Sequence, residues 1–272
     1  MSQACHLRLK HALPVGVDAS TLLPERLATL SIDEIARLPL ELGRDLVAVG
    51  DLFDISLREA DGVELRFEGD CRKLHGVGRA MGEGRLVVDG PVGDQVGVEM
   101  RGGEIQVCGD AGDLAGGAMA GGRLEIGGSV GDFAASTLPG AMDGMRGGVL
   151  IVRGDAGDRF GDRMRRGVAV VHGRTGDFLA SRMVAGTIAL AGETGEHPGH
   201  GMRRGTLVFA GAQPRVPDTF SATHHDTRVF WALMARSLAP FGAPFDGLAA
   251  RCPARVVGDL GADGKGEWML PA

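Results

Sequence analysis

Glu104-Ile105-Gln106-Val107-Cys108-Gly109-Asp110-Ala111-Gly112-Asp113-Leu114-Ala115-Gly116-Gly117-Ala118-Met119-Ala120-Gly121-Gly122 is one nineteen-residue unit of a repeat. Its opening residues alternate as a strand does: Ile105 and Val107 share one face, Glu104 and Gln106 the other. The same beat runs through the middle of the chain. Met81, Met100, Met119, Met145, Met164, Met183 and Met202 are nineteen residues apart, except for nineteen plus seven between Met119 and Met145. Glycine columns keep register at Gly90, Gly109, Gly128, Gly154, Gly173, Gly192 and Gly211, and three residues later from Gly93 to Gly195.

Aligned on this beat, the strand positions become two aliphatic stacks. One reads Leu86, Ile105, Leu124, Leu150, Ala169, Ile188, Leu207; the other reads Val88, Val107, Ile126, Val152, Val171, Leu190, Phe209. One winding cannot bury its own apolar face, but stacked windings can, at the roughly 4.8 Å spacing of paired strands. The pattern predicts a mainly β protein, a single-stranded parallel β-helix of about seven 19-residue coils over 64–212. Small α/β caps are expected at both ends, an N-terminal cap over 1–63 and a C-terminal cap and tail over 213–272. The Gly-x-x-Gly turn is expected to use glycine's positive φ. A second small-residue column (Gly97, Gly116, Ala135, Gly161, Ala180, Gly199) suggests close backbone approach at another corner. The seven extra residues, Ser136 to Met142, should bulge as a loop, either a tolerated insertion or a partner contact.

The outward strand column changes character from Val87, Gln106 and Glu125 to Ile151, Val170, Ala189 and Val208. Its second half must be covered, by this chain's own termini or by another subunit. In the flanks, His6–Lys10 alternates as a strand. Ser31-Ile32-Asp33-Glu34 fits a capping box opening a helix through Leu38, and Leu46–Phe53 reads as a strand. Val229, Phe230, Leu233 and Met234 stand at helical spacing before Pro240.

Bulk properties exclude several classes. A net charge of −6 argues against nucleic-acid binding, and no run approaches a membrane span. Cys5, Cys71, Cys108 and Cys252 lack paired spacing, and no signal-like segment opens the chain, so a cytoplasmic protein with reduced thiols is expected. Asp94, Asp113, Asp132, Asp158 and Asp177, with Glu196, form a carboxylate column. It suits calcium, or acceptance of backbone N–H groups within each turn. His197-Pro198-Gly199-His200 and His224-His225 lack partners for a metal site and read as surface loops. No nucleophile elbow, P-loop or Cys–His signature is present, so no catalytic residue and no metal site is assigned. Arginines flank the Met column at Arg101, Arg146, Arg165 and Arg203, extended by Arg166 and Arg204. They form either a ladder of Arg–Asp contacts or a basic edge for a carboxylate-rich ligand or an acidic partner.

The Gly-x-x-Gly-Asp…Met…Gly unit resembles the β-helix that ends the large subunit of glutamate synthase. It resembles more closely the C-subunit family of formylmethanofuran dehydrogenases. Gly50-Asp51-Leu52-Phe53 is similar to that family's entry segment, and Gly258-Asp259-Leu260 with Gly264-Lys265-Gly266-Glu267 to its C-terminal signature. The archaeal branch of the family implies a tungsten or molybdenum redox complex. The bacterial branch implies a formyltransferase/hydrolase complex of one-carbon metabolism in methylotrophs. That complex passes a formyl group from tetrahydromethanopterin to a methanofuran analogue and releases formate. Arg in place of Lys leans to the bacterial branch. The resemblance implies a non-catalytic scaffold in a hetero-oligomer with amidohydrolase-like, formyltransferase and further subunits. No cofactor is expected to bind the scaffold directly, except that the Arg101–Arg204 edge is a candidate contact for the glutamate-rich cofactor tail. A glutamate synthase-type amidotransferase domain is the alternative.

Overall fold

The computed structural model describes residues 2–223 and 225–271. Among these residues, thirteen strands make one sheet. Its centre is parallel: Glu64–Glu68, Arg85–Val88, Glu104–Val107, Arg123–Ile126, Arg146–Val152, Arg166–Val171, Thr187–Leu190 and Arg204–Phe209 pair in sequence order. Register follows the repeat, so Ile105 lies opposite Leu86 on one side and Leu124 on the other. A second face carries one bridge per winding, running Cys71, Val92, Ala111, Val130, Ala156, Thr175, Thr194. The chain is a mainly β, β-helix-like solenoid.

The two aliphatic columns and the seven Met side chains face inward, and each of those methionines is fully buried. At both ends the core is closed by chain from outside the repeat. Ser2–Leu9 pairs parallel with Glu64–Glu68 and antiparallel with Phe53–Ala60. A small sheet of Asp45–Ala48, Pro39–Leu42, Val17–Asp18 and Leu74–His75 folds beside it. The Ser31 capping box forms as expected, with the Glu34 N–H donating to Ser31 Oγ and the Ser31 N–H to Glu34 Oε2, but the helix spans only Ile32–Ala36. The expected strand Leu46–Phe53 is interrupted. It ends at Ala48, whose N–H donates to the Asp51 carboxylate (3.0 Å), which starts a one-turn helix, Val49–Leu52.

At the far end Lys265–Pro271 returns to pair parallel with Arg204–Phe209, placing Trp268 opposite Leu207. Trp268 is fully buried between Phe209 and Phe220, with ring centroids 5.1 Å and 4.4 Å away. It plugs the open end of the core.

At the first corner glycine serves a purpose other than the expected one. The first-turn glycines do not use positive φ. A Cβ on Gly112, Gly131, Gly157, Gly176 or Gly195 would stand 2.0–2.3 Å from the Oδ1 of the Asp one winding earlier. That oxygen accepts the next Asp's N–H: Asp113 N to Asp94, Asp132 N to Asp113, Asp158 N to Asp132, Asp177 N to Asp158, at 2.8–3.0 Å. The Asp column therefore caps the following winding rather than its own turn, and the glycines leave room for it. Positive φ falls later in each winding, at the second corner (Gly97 +64°, Ala180 +56°) and again before the strand (Gly103 +75°, Gly122 +80°).

The outward column is covered by the chain's own C-terminus. Ile151, Val170, Ala189 and Val208 pack under Trp231, Ala235 and Leu238 of the helix Arg228–Leu238, and under Phe241, Phe245 and Leu248 beyond it. The helix forms where expected, and Met234 packs inward, but the buried face centres on Trp231, Ala235 and Leu238 rather than on the other three residues of the expected face. Val229, Phe230 and Leu233 are exposed, because Trp231 carries more apolar surface and its Nε1–H reaches the carbonyls of Leu248 and Arg251.

Arg153 fastens this cover. Its guanidinium donates to Glu125 Oε1 (2.9 and 2.7 Å), to the Phe241 carbonyl (3.1 Å) and towards His172 Nε2 (2.9 Å). Arg has only donors, so His172 must accept there as the neutral ring, with its other nitrogen free to serve Ala243. Burial, then the Arg153 charge, lowers the His172 pKa. The native state therefore resists a proton that the unfolded chain accepts near pH 6.5. Stability held above that pH should fall as acid is added. A thermal melt taken from pH 7.5 to pH 5.5 should show the loss, and His172→Gln should flatten that part of the profile.

Candidate functional site: an arginine-lined depression

The residue after each Met leaves the interior and starts an exposed edge. Its N–H donates to the Met carbonyl of the preceding winding: Arg146 to Met119, Arg165 to Met145, Val184 to Met164, Arg203 to Met183. The edge side chains are thereby stacked one rung apart, about 4.8 Å. Within that stack the winding at Val184-Ala185 supplies small apolar side chains where its neighbours supply Arg165-Arg166 and Arg203-Arg204. The result is a depression of about 530 Å³, walled by Arg146, Arg165, Arg166, Arg203 and Arg204, floored by Val184 and Ala185, with Asp263 at the rim.

Five of the six arginines picked out in the sequence are thus brought together. Arg101 is not among them. Two windings separate it from Arg146, and the intervening edge is Ala120-Gly121, so it stands apart on the exposed surface. The Arg–Asp ladder is realised at a single rung of the depression, where Arg165 pairs with Asp143. Arg146 only approaches the Ala118 carbonyl (3.4 Å). Among the described residues, Arg166, Arg203 and Arg204 have no side-chain partner, and all three are exposed. Register places Lys265 beside Arg204, so positive charge continues onto the closing strand.

Like charges held this close repel one another, and an anion relieves that repulsion while accepting fork-like guanidinium hydrogen bonds. Guanidinium groups placed this way suit carboxylates or phosphates. Sequence reasoning missed Val184, Ala185 and Asp263. The two small residues were visible as a break in the arginine register, but Asp263 comes from the returning tail.

The other candidates are placed elsewhere. His197 and His200 both pack on Phe178, with centroids 5.1 and 6.0 Å away. His225 is exposed, and His224 lies outside the described residues. Among the described residues, no three His, Cys, Asp or Glu side chains group as metal ligands, and no helix is long and apolar enough to cross a membrane. Cys71 is buried in the bridge column, and desolvation, with the nearby Asp70 and Asp89 charges, pushes its thiol up to about 12.

Comparison with known proteins gives three findings. The family model described as the GXGXG motif matches residues 85–224. In sequence, the chain is 41% identical over 90 residues to the C-subunit of the formyltransferase/hydrolase complex Fhc of Methylorubrum extorquens, covering 33% of each chain. It is 32% identical over 87 residues to the C-subunit of tungsten-containing formylmethanofuran dehydrogenase 2 of Methanococcus maripaludis, covering 32% of each. The aligned segment thus spans about a third of the length of these curated relatives. In structure the match is nearly complete. A chain of the M. extorquens formyltransferase/hydrolase complex (FhcABCD), crystallised with methylofuran, superposes with TM-score 0.91 and 40% identity, over 98% of this chain and 99% of that one.

Proposed function

The chain belongs to the GXGXG motif family and is a homologue of the Fhc C-subunit, and from that premise we propose that it is the scaffold of a formyltransferase/hydrolase complex. The observation that carries this reading is the likeness to a chain of such a complex across 98% of this one, both caps included. The formylmethanofuran dehydrogenase relatives, at lower identity over a third of the chain, fit the alternative redox complex only in part. In this reading the stack is a single-stranded parallel β-helix of about seven 19-residue coils and works in the cytoplasm. The complex moves a formyl group from tetrahydromethanopterin to a methanofuran analogue and releases it as formate. Amidohydrolase-like and formyltransferase subunits perform the chemistry on this support.

The arginine depression takes the carboxylate-rich tail of the furan cofactor, or an acidic surface of a partner. Its unpaired guanidinium groups and apolar floor support that role. Arg101, set apart from the depression, is assigned no part in it.

Co-purification from the native host tests the function. Recovery with amidohydrolase-like and formyltransferase polypeptides is expected, and a chain that purifies alone would count against the proposal. For the site, Arg203→Glu with Arg204→Glu should raise the complex's KM for the furan cofactor at least tenfold, or weaken assembly to the same degree. Unchanged KM together with unchanged assembly removes the depression from the mechanism.

A further inference from the structure

The large sheet is open at its N-terminal edge. Phe53–Ala60 is its last strand, eight residues long, and among the described residues it pairs on one side only, with Ser2–Leu9. The register is unbroken along the whole strand, and no proline, lysine or bulge blunts it. A long edge of this kind is a template for another strand, and most proteins disrupt it.

The ladder shows which main-chain groups are free. Just past the Leu9–Phe53 pair, the Lys10 N–H donates to the Leu52 carbonyl (3.0 Å). Bonded and non-bonded pairs alternate along antiparallel strands. Arg8–Asp54, His6–Ser56 and Ala4–Arg58 are therefore the bonded pairs, and Ile55, Leu57 and Glu59 turn their N–H and C=O groups outward. Phe53 turns out its carbonyl alone, because its N–H donates to Val49.

The side chains carry a matching pattern. Asp54, Ser56 and Arg58 alternate along one face, and all three are exposed. Among the described residues, neither Asp54 nor Arg58 has an ion pair or a side-chain hydrogen bond. Arg8 stands opposite Asp54 without pairing with it, and Arg58 stands opposite Ala4. On the other face a depression of about 760 Å³ opens between Leu57 and the segment 28–33. Ile32 lies in its wall and is 44% exposed.

Asp54 and Arg58 are placed symmetrically about Ser56. We propose that a second copy of this chain docks on this edge, antiparallel, with the two-fold axis at Ser56. Ile55 then bonds the partner's Leu57, and Asp54 meets the partner's Arg58 on both sides of the axis. An axis at Ile55 would set Asp54 against the partner's Ser56, and one at Leu57 would set it against the partner's Ala60. Charge therefore selects one register. The depression beside Leu57 gives the partner's Ile55 side chain room. The two sheets become one, and the arginine depression on the later windings stays open. The inference does not depend on the scaffold reading.

Sedimentation of the full chain over a range of concentrations is the test. A dimer is expected, and Asp54→Arg or Arg58→Asp should raise its dissociation constant about tenfold, since each change acts twice across the axis. The two substitutions together exchange the charges and should restore wild-type affinity. Both positions are exposed, so the variants should melt as wild type does. Amide exchange at Ile55 and Leu57 should slow as the dimer forms. A chain that stays a single copy, both alone and with its co-purified subunits, would overturn the proposal. So would a dimer indifferent to both single reversals, which would place the contact on another face. Loss of a different polypeptide from the complex in the single variants, without rescue in the double, would make that polypeptide the occupant and overturn it as well.

Discussion

Trp268→Ala should destabilise the protein by about 3–5 kcal/mol, the range for removing a fully buried aromatic side chain and leaving its cavity. The position explains why little relaxation is available. Trp268 stands in the inward column as one further rung, opposite Leu207, with Phe209 and Phe220 against its ring. Its loss opens the end of the core to water and removes the anchor for the returning strand. The indole N–H is buried without a hydrogen-bond partner among the described residues. Trp268→Phe therefore loses volume but also sheds an unsatisfied donor, and its cost should be well below that of Trp268→Ala. Urea unfolding of the three proteins checks the ordering. Equal losses in both variants would mean that the Trp N–H is satisfied, or that the end of the stack does not depend on this plug.

Gly157→Ala should be a strongly destabilising methyl addition in the middle of the stack. The new Cβ would lie 2.2 Å from Asp132 Oδ1 and 2.9 Å from both the Asp132 nitrogen and the Gly131 carbonyl carbon. Of these, only the carboxylate can move. If it swings away it abandons the Asp158 N–H, which it holds at 2.8 Å. The expected cost is at the upper end of the ~1–3 kcal/mol typical of overpacking, with about 1 kcal/mol more for the lost hydrogen bond. A double-mutant cycle identifies the cause. Asp132→Ala removes the obstructing oxygen, so the two changes together should cost less than their sum, with a coupling above about 0.5 kcal/mol. Additive losses would place the difficulty in the backbone contacts instead.

The same pair shows why a repeat can be legible while its mechanism is not. Gly and Asp recur together from Asp94 to Gly195 because each serves the other across the stack, Asp as acceptor and Gly as the space it needs. Read along one unit, Gly-x-x-Gly suggests a turn that needs positive φ. Only the neighbour about 4.8 Å away turns it into a requirement for close approach. Likewise, the arginine register was visible in the sequence, but the depression depends on two rungs of arginine facing each other across Val184 and Ala185.

Other choices lay beyond pattern reading. The apolar outward column from Ile151 to Val208 required a cover, and either the chain's own end or a partner satisfied that requirement. The C-terminal helix took it, using Trp231, Ala235 and Leu238 and leaving Val229 and Leu233 exposed. Helical spacing alone offers two plausible faces when apolar residues are this dense, and total buried surface decides between them.

By itself, the sequence determined the winding, its period and what lines it. A fixed spacing places the same residue type at the same point of every turn, and stacked strands bury identical columns. Only the tertiary structure decided which glycines make room and which bend the chain, which end covers the outer face, and which arginines converge. Those outcomes depend on contacts between residues in different windings or from the tail, and no periodicity along the chain encodes them.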